Sequence, residues 1–492
     1  MFPILALALL PVAAPPAVTL GGATNCIAYP ATQAGRYQRV DATFRLCFTG
    51  PSEGAGLAFL STSAYGSAGS APSVARWEEP NLDHSLGIGF DTSDPPTQDI
   101  FNADGNLYNR PQHEVSLHWD GVEVANVVSP VAFEDGKPHD VAVRLRFVAG
   151  GAMVTVLIDG TPAYADAFVI GPDAYRSRLA FGFNPGGGKG RCDFALTRLT
   201  YADRTQPSPS PTHAVVFDGA ILTGAHQQDV ATVDLPAADK SAERVILTLT
   251  LSAPPGGIDP WDRSGSIYVW GDDGERHEVL RFMTPFGRPY RWRADVTDYQ
   301  SLLRGRRKFA AYIDTWAKGW SVDVALDYFW GRPALQAFRV TTLWSGNWEY
   351  GNPADPMDAK FVPRRPILDR ATKAAKIRLI VTGHGMSPNT GNAAEFMPAL
   401  RTLMVNGHAF ENLLWKTDNY LNPCRPQGGT WKFDRAGWGP GSLVVPWDVD
   451  VTSLVKPAQP ALIEYKPQPY LNQNAGKSRA YHIVEVQLIE YR

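Results

Sequence analysis

The sequence predicts an all-β protein with several antiparallel domains. The 492-residue chain contains 45 glycines and 40 prolines, a high density of turn-forming residues. Short runs of alternating apolar and polar residues recur, as at 153–158 and 245–251, whereas no segment after the N-terminus has a long helical period. A chain of this length exceeds what one hydrophobic core supports, so we expect two or three domains.

A proline- and serine-rich stretch at 205–213 marks the clearest domain boundary. Its composition is typical of an extended, exposed linker. Before it, a strand-like run at 141–147 is followed by another at 153–158 that ends in an Asp-Gly pair, a favoured hairpin turn. We therefore predict an antiparallel sandwich over residues 23–204.

The rest of the chain repeats one order of features. In residues 214–338, and again in 339–492, an apolar strand is followed by a long polar loop, an Asp-Val-Thr sequence and a closing strand. Period-2 strands separated by Gly- and Pro-rich loops are typical of a jelly roll. The pattern predicts two adjacent antiparallel jelly rolls, with function in the long loops.

The N-terminus is apolar, and residues 2–12 consist mostly of Leu, Ala and Ile. This run is too short to span a bilayer, and no later segment of the sequence is long and apolar enough. We predict a signal peptide over residues 1–22 and a secreted or periplasmic protein. Because the first basic residue is Arg36, the usual positive start is missing, and an apolar first strand is the alternative.

Charge and cysteine content exclude several classes of partner and site. The net charge of −3 gives no electrostatic reason to bind nucleic acid or an anionic membrane. No cysteine pair has zinc-ligand spacing. In an oxidising compartment Cys26 could form a disulfide with either Cys192 or Cys47, and the sequence leaves both pairings open.

Two distant loops, 258–263 and 422–438, combine acids, arginines and tryptophans. Hydrolysis of an amide needs a base for water, an acid for the leaving nitrogen and a positive group for the oxyanion. Tryptophan faces can also stack on the apolar faces of sugar rings. Taken singly, a pair such as Asp262-Arg263 is typical of a surface turn, so the combination carries the hypothesis of an active site.

A series of short motifs occurs in a specific order between residues 214 and 492. They are Trp261-Asp262-Arg263, Arg281 to Pro285, Asp295 to Asp298, Asp314-Thr315-Trp316, Thr382 to Gly385, Ala394-Glu395-Phe396, and Gly429-Thr430-Trp431 through Gly437-Trp438. Together they resemble the peptide-N-glycosidase F family, amidases that remove N-linked glycans from asparagine. The resemblance implies two eight-stranded jelly rolls with an active site in the cleft between them.

The resemblance also assigns roles to individual residues. Asp262 matches the catalytic acid/base, Glu395 matches a second carboxylate that acts across a bridging water, and Asp314 stands where the family usually has glutamate. The implied substrate-binding residues are Trp261, Arg263, Trp316, His384, Trp431, Arg435 and Trp438. Arg263 and Arg435 would stabilise charge, while Trp316 and Trp438 would form aromatic walls of the sugar cleft.

We therefore expect a monomeric amidase, without metal or cofactor, that acts on N-linked glycoproteins and glycopeptides. It would cleave between asparagine and the innermost N-acetylglucosamine, converting Asn to Asp. The alternative is a catalytically weak or inactive N-glycan-binding protein, which the departure at Asp314 and the added sandwich favour. Family cysteines are missing around Glu395, so we expect Cys424 to be a free thiol.

The N-terminal sandwich carries a weaker resemblance. The sequence Leu-Gly-Ile-Gly-Phe-Asp at 86–91 resembles the concanavalin A-like class of lectin and laminin-G domains. A lectin-type calcium site would need Asp91, Asp94 and Asn106, and we expect none. Copper, used by monooxygenases with paired jelly rolls, is excluded because no His-x-His sequence occurs.

Overall fold

The computed structural model describes residues 17–22, 25–93, 113–237, 240–387, 393–477 and 479–492. The chain divides into two compact units, and in the described residues the first ends at Pro209 and the second begins at Ser210. This division falls inside the predicted linker of 205–213. The first unit is one sandwich, and the second contains two jelly rolls.

The first unit consists of two six-stranded antiparallel sheets. Their orders are β1-β12-β3-β8-β9-β10 and β2-β11-β4-β5-β6-β7. The strands are β1 (Val18–Leu20), β2 (Cys26–Ala28), β3 (Arg36–Thr49), β4 (Gly54–Ser61), β5 (Leu86–Asp91), β6 (Glu114–Trp119), β7 (Val122–Val128), β8 (His139–Val148), β9 (Gly151–Ile158), β10 (Thr161–Ile170), β11 (Ser177–Asn184) and β12 (Arg191–Thr205).

Alternating burial along β8 and β9 shows how these strands contribute to the core of this sandwich. In β9, Val154, Val156 and Ile158 are buried, while the residues between them are partly exposed. Val156 pairs with the buried Val143 of β8 across the sheet. Since successive side chains of a strand point to opposite faces, one apolar face of each sheet packs against the other sheet. The all-β prediction, with a sandwich first, is confirmed.

Helices contribute little to the part of the chain that the structure describes. An α-helix of four residues, Thr62–Tyr65, follows β4. Short 3-10 helices occur at Thr297–Tyr299, Met357–Lys360, Asn419–Leu421 and Thr452–Leu454. The described residues therefore contain no helix that is long and apolar enough to cross a bilayer.

The first jelly roll has eight strands in two four-stranded sheets. The sheet orders are β13-β20-β15-β18 and β14-β19-β16-β17. The strands are β13 (Thr212–Thr223), β14 (Gln228–Asp234), β15 (Ala242–Ser252), β16 (Ser264–Trp270), β17 (Arg276–Met283), β18 (Tyr290–Asp295), β19 (Arg306–Ile313) and β20 (Gly319–Trp330). Apolar side chains from both sheets, including the fully buried Trp320, fill the space between them.

The second jelly roll has seven strands within the described residues. Its sheets have the orders β21-β27-β22-β25 and β24-β23-β26. The strands are β21 (Ala337–Glu349), β22 (Ala374–His384), β23 (Ala399–Val405), β24 (His408–Leu414), β25 (Trp447–Asp450), β26 (Ile463–Pro467) and β27 (Tyr481–Tyr491). The family resemblance implies eight strands, and here isolated antiparallel bridges join Arg364 to Ile463 in β26 and Ile367 to Pro460 just before it.

Backbone hydrogen bonds join the two jelly rolls directly. Near the end of β17, the Met283 amide donates to the Ser442 carbonyl and the Val444 amide donates to the Arg281 carbonyl, both at 2.9 Å. The buried guanidinium of Arg281 donates to the Ile483 carbonyl of β27 at 2.8 Å. Loops from the two jelly rolls are therefore held in a fixed relation along this seam.

The last residues of the predicted signal peptide form a strand. Residues 1–16 lie outside the described residues, but Val18–Leu20 form β1 and pair with β12. Leu20 is completely buried in the sandwich core. Residues 18–20 therefore form an apolar strand in the described part of the chain, and the signal peptide over residues 1–22 stays a prediction.

The cysteines are present as free thiols. Neither open disulfide pairing of the first domain is formed, and Cys424 is a free, buried thiol, as expected. Burial raises the pKa of Cys424 to about 12. A thiol with such a pKa carries almost no thiolate near neutral pH and is therefore unreactive in the folded protein.

The residues named for a calcium site are only partly described. Asp91 ends β5 and is buried, whereas Asp94 and Asn106 lie outside the described residues. In the part of the chain that the structure covers, no three potential metal-ligating side chains lie close enough together to hold an ion.

We predict that β1 stabilises the first unit measurably. A chain that starts at Ala23 should unfold at a lower urea concentration than one that starts at Ala17, because burial of one Leu side chain contributes about 1.5–3 kcal/mol and the ladder bonds to β12 are lost as well. Urea unfolding followed by far-UV circular dichroism measures the difference. Equal midpoints for the two chains would contradict a structural role for these residues.

Candidate active site

Antiparallel pairing brings three loops of the first jelly roll to one edge. β16 begins at Ser264, directly after Asp262 and Arg263, and pairs with β17 and β19. Ser264 lies opposite Met283 at the end of β17, and Gly265 lies opposite Ile313 at the end of β19. The start of one strand therefore meets the ends of its two neighbours, which places Asp262, Thr284 and Asp314 at the same edge.

Buried hydrogen bonds fix the loop that carries Asp262. The Thr284 hydroxyl accepts from the Arg263 amide at 2.8 Å and donates to the Trp261 carbonyl at 2.9 Å. The carboxylate of Asp259, which is completely buried, accepts from the Arg263 side chain at 2.8 Å and from the Trp261 amide at 3.0 Å. The backbone on either side of Asp262 is thus held by residues from its own loop and the β17 end.

In the second jelly roll, backbone bonds fix Glu395 beside the end of β22. The Glu395 amide donates to the Gly385 carbonyl at 3.0 Å, and the Glu395 carbonyl accepts from the Ala436 amide at 2.8 Å. The Gly383 amide in turn donates to the Ala436 carbonyl at 3.0 Å. Glu395 and the loop that contains Arg435 are consequently anchored to each other and to the sheet.

The guanidinium of Arg435 joins the acids of the two jelly rolls. Its Nε lies 3.1 Å from Glu395 Oε1, and its Nη2 lies 3.5 Å from Asp262 Oδ2. Its remaining hydrogen bonds go to the carbonyls of Thr430 and Phe433, at 2.7 and 3.0 Å, and to the Thr430 hydroxyl at 2.7 Å. The Arg435 side chain is 1% exposed, while Asp262 and Glu395 are 16% and 19% exposed. Both acids are therefore mostly buried but accessible to a small ligand.

The environment raises the pKa of both acids. Burial, together with the charge of Glu395, raises the pKa of Asp262 to about 7, although Arg435 opposes the shift. Burial raises the pKa of Glu395 as well, and its contact with Arg435 again acts in the opposite direction. If both carboxyl groups are ionised, their two negative charges exceed the single positive charge of Arg435. One of them therefore binds a proton more easily, and near neutral pH the Asp262 side chain exchanges a proton readily.

Two tryptophans at this edge expose most of their indole rings. Trp261 is 56% exposed and Trp316 is 69% exposed. The Arg263 guanidinium lies over the Trp316 ring, with its central carbon 4.1 Å from the ring centroid. Exposed indoles beside mostly buried acids can receive the apolar face of a sugar ring. The predicted positions of Trp261, Arg263 and Trp316 fit such a surface.

Two other predicted sugar contacts lie inside the protein. Trp438 is 3% exposed, donates from its indole N–H to the Gly383 carbonyl at 2.7 Å, and stacks on the His384 ring at 5.1 Å. Trp431 is completely buried. The structure therefore does not support Trp438 as an aromatic wall of the cleft. The central carbon of the Arg435 guanidinium lies 4.8 Å from the ring centroid of Trp438, so this buried indole packs against Arg435 and stabilises the site.

His384 is likewise buried, so its side chain does not reach a ligand bound at the surface. Its Nε2 lies 2.8 Å from the Thr382 hydroxyl, and burial, with Arg281 nearby, holds its pKa well below the usual range. The ring is therefore neutral and packs between the rings of Trp438 and Tyr481. This arrangement assigns His384 to the support of the site rather than to ligand contact.

Asp314 lies at the same edge, although its contacts differ from those of Asp262. Its Oδ1 is 3.5 Å from the Gln227 amide nitrogen, and its own amide donates to the Ser264 carbonyl at 2.9 Å. Burial raises the pKa of Tyr481 first, and the charges of Asp314 and Glu395 add to that shift. Tyr481 therefore lies within electrostatic range of acids from both jelly rolls.

Gly429 allows the loop of residues 422–438 to pack closely on the first jelly roll. Gly429 has φ = +66°, and a Cβ at this position would lie 2.6 Å from the ring of Phe286 in the first jelly roll. Only glycine allows both this backbone conformation and this close approach. The Phe286 amide also donates to the Gln427 side chain at 3.2 Å, so the loop docks directly on the neighbouring jelly roll.

Sequence reasoning missed three residues of the site. Asp259 and Thr284 lie within or beside recognised motifs but were not assigned roles, and Tyr481 lies in the closing strand. The spacing of Asp259 and Arg263 is a weak signal, since an acid and a base four residues apart in a loop are common on surfaces. Complete burial of Asp259 becomes visible only in three dimensions.

Comparisons with known proteins find similarity to peptide-N-glycosidase F. Residues 271–328 match the family model "Peptide-N-glycosidase F, N terminal", and residues 357–489 match "Peptide-N-glycosidase F, C terminal". Peptide-N(4)-(N-acetyl-beta-D-glucosaminyl)asparagine amidase F from Elizabethkingia miricola is 28% identical over 304 residues, which cover 58% of this chain and 86% of that protein. Glu395 and Arg435 lie inside the second matched segment, whereas Asp262 lies just before the first.

Two solved structures also align with this chain. A crystal structure of peptide-N(4)-(N-acetyl-beta-D-glucosaminyl) asparagine amidase aligns with a TM-score of 0.52 and 25% identity, covering 57% of this chain and 96% of that chain. A structure of PNGF-II covers 92% of this chain and 99% of that chain, with a TM-score of 0.47 and 14% identity. The first of these alignments supports the paired jelly-roll architecture.

We predict that Arg435 is essential for the stability of this site. Replacing it with Lys removes the planar fork, and one ammonium cannot reach Glu395 and both backbone carbonyls at the same time, so the free energy of unfolding should fall by about 3–5 kcal/mol. Urea denaturation measures the loss. Arg306→Lys is the matched control, because this arginine is 72% exposed and its ion pair contributes at most about 1 kcal/mol. Equal stability losses in both variants would contradict the prediction.

Proposed function

Because the chain belongs to the peptide-N-glycosidase F family, we propose that it hydrolyses the amide bond between asparagine and N-acetylglucosamine in N-linked glycoproteins and glycopeptides. One observation carries the proposal. Asp262 from the first jelly roll and Glu395 from the second lie on the same buried guanidinium of Arg435. The products would be an aspartate in the peptide and a glycosylamine.

The proposed reaction uses Asp262 as a proton carrier. As a carboxylate it takes a proton from the attacking water, whose oxygen bonds to the amide carbon. The same proton then passes to the departing nitrogen as the carbon–nitrogen bond breaks. A pKa of about 7 suits both transfers, because neither protonation state of Asp262 is strongly favoured near neutral pH.

Glu395 would orient the attacking water and keep its own carboxylate beside that of Asp262. Its Oε1 is fixed on Arg435 Nε, and its backbone is bound on both sides to the second jelly roll. Asp314 lies near the same edge and would contact the sugar or a water, as a shorter substitute for the family glutamate. In this proposal neither residue needs to exchange a proton with the substrate.

The two arginines have different roles in the proposal. All three nitrogens of Arg435 are engaged with protein acceptors, so it holds the acids in place. Arg263 binds Asp259 through Nε and Nη2, and no described residue accepts a hydrogen bond from its Nη1. Arg263 Nη1 is therefore the better candidate to stabilise the oxyanion.

Trp261 and Trp316 would receive the innermost sugars of the glycan. Both indoles are more than half exposed, and Trp316 is backed by the Arg263 guanidinium. Stacking on aromatic rings provides affinity for a sugar, while nearby polar groups provide orientation. We also propose that the protein is exported by an N-terminal signal, which would bring it to extracellular glycoproteins.

We predict that Asp262→Asn abolishes hydrolysis while the protein stays folded. The variant lacks the proton carrier, and kcat should fall by about 10²–10⁴-fold. Mass spectrometry of a standard N-glycopeptide detects both the released glycan and the conversion of Asn to Asp. Asp218→Asn, at an exposed position in β13, is the matched control and should keep full activity.

Several results of this experiment would contradict the proposal. Full activity of the folded Asp262→Asn protein would exclude the assigned mechanism. Binding of the glycopeptide by the native protein without any Asn-to-Asp conversion would instead support a glycan-binding protein. Release of a glycan with asparagine still carrying a sugar would indicate a glycosidase.

The pH dependence of hydrolysis should report the Asp262 carboxyl. Below its pKa of about 7 this group is protonated and cannot accept a proton from water, so kcat/KM should fall about tenfold per pH unit as the pH drops below 7. Above that pH the rate should reach a plateau. Initial rates on a glycopeptide between pH 5 and 9 test this, and a rate that is constant through this range would contradict the role.

A further inference from the structure

Asp259 is a buried carboxylate that the proposed reaction does not use. It follows Ile258, which forms a parallel bridge with Gly319, and its amide donates to the Gly319 carbonyl at 3.0 Å. None of its surface is exposed. A buried charge of this kind is retained only where hydrogen bonds satisfy it, so each of its partners is informative.

Four hydrogen bonds satisfy the two oxygens of Asp259. Oδ2 accepts from Arg263 Nε at 2.8 Å and from the Thr315 hydroxyl at 2.7 Å. Oδ1 accepts from the Trp261 amide at 3.0 Å and from Arg263 Nη2 at 3.3 Å. Burial raises the pKa of Asp259, but the bonds from Arg263 and Thr315 outweigh it and leave the pKa below its usual value. The group is therefore a fully bound carboxylate.

These bonds connect the two exposed indoles. Trp261 is held through its backbone amide, and Trp316 follows Thr315 directly in the chain. The Arg263 fork, oriented by Asp259, lies 4.1 Å from the centroid of the Trp316 ring. One carboxylate therefore fixes the loop before β16, the loop after β19 and the cation that packs on the more exposed indole.

We propose that Asp259 is a positioning residue that holds Trp261 and Trp316 as one rigid sugar-binding platform. It has no exposed surface and does not touch the substrate, and it acts through Arg263, Thr315 and the Trp261 backbone. Its carboxylate accepts hydrogen bonds from Trp261, Arg263 and Thr315, and not from Arg435. Loss of the Thr315 bond should therefore weaken sugar binding without slowing the chemical step. Loss of Asp259 itself should also lower kcat, because Asp259 orients Arg263. This inference rests on the proposed function.

The test compares two substitutions at Thr315 that differ in the hydroxyl. Thr315→Val removes the donor to Asp259 but keeps the shape, whereas Thr315→Ser keeps the donor. We expect Thr315→Val to raise KM for a glycopeptide by about tenfold, because a displaced contact surface loses well-oriented binding. Thr315→Ser should stay within about threefold of the native protein. In both variants kcat and the pH profile near 7 should be unchanged.

Asp259→Asn is the stronger variant. It replaces a double acceptor with a group that presents an N–H to Arg263 or Thr315, so KM should rise further than in Thr315→Val. Asp298→Asn is its matched control, since Asp298 is a partly buried acid of the same jelly roll that binds Lys376 and Arg378. The control should lose stability without any change in KM.

Tryptophan fluorescence provides a second measurement that does not need turnover. N,N′-diacetylchitobiose should quench the exposed indoles, with a Kd that is raised in Thr315→Val and restored in Thr315→Ser. Equal KM and Kd for these two variants, or a fall in kcat at constant KM, would overturn the positioning role. A native protein that binds chitobiose but leaves the glycopeptide intact would refute the proposed function alone, and the fluorescence comparison would still decide the role of Asp259.

Discussion

The site depends on one buried cation. Arg435 is almost completely enclosed, and its hydrogen bonds hold two backbone carbonyls, the Thr430 hydroxyl and the Glu395 carboxylate, with Asp262 at ion-pair distance. A buried guanidinium without these acceptors would be strongly unfavourable, so folding of the second jelly roll around it also determines where Glu395 lies. The acid of the other jelly roll then completes the arrangement. Acids from distant parts of the chain thus acquire a common environment.

Burial of the acids lowers the stability of the folded protein near neutral pH, but it also gives Asp262 a pKa that suits proton transfer. The rise in the pKa of Asp262 from 3.8 to about 7 corresponds to about 4 kcal/mol for holding it ionised in the folded protein. The pKa is raised in the folded state, so this contribution favours folding below about pH 4 and is lost as the pH rises to about 7. The direct backbone bonds between the jelly rolls, along the seam at Met283 and Ser442, offset such a penalty. The seam therefore keeps the acids close despite their repulsion.

Particular residues show how far the sequence predicted the site. Asp262, Glu395, Arg263, Trp261 and Trp316 were predicted from the resemblance of their ordered motifs to the peptide-N-glycosidase F family. The roles of Trp438, Trp431 and His384 were not predictable in this way. Loop residues lack the two-residue alternation that distinguishes inward from outward side chains in a strand, so a tryptophan beneath the site and one on its surface give the same sequence signal.

By itself, the sequence determined the all-β class, the linker near residue 209, the two jelly rolls and the loops that carry the acids. These features depend on local periodicity, turn residues and ordered motifs, which are properties of neighbouring positions. Only the tertiary structure decided that Asp262 and Glu395 share Arg435, that Asp259 binds Thr315, and that residues 18–20 form a strand of the sandwich. Each of these depends on contacts between segments far apart in the chain, where burial changes both the charge state and the role of a side chain.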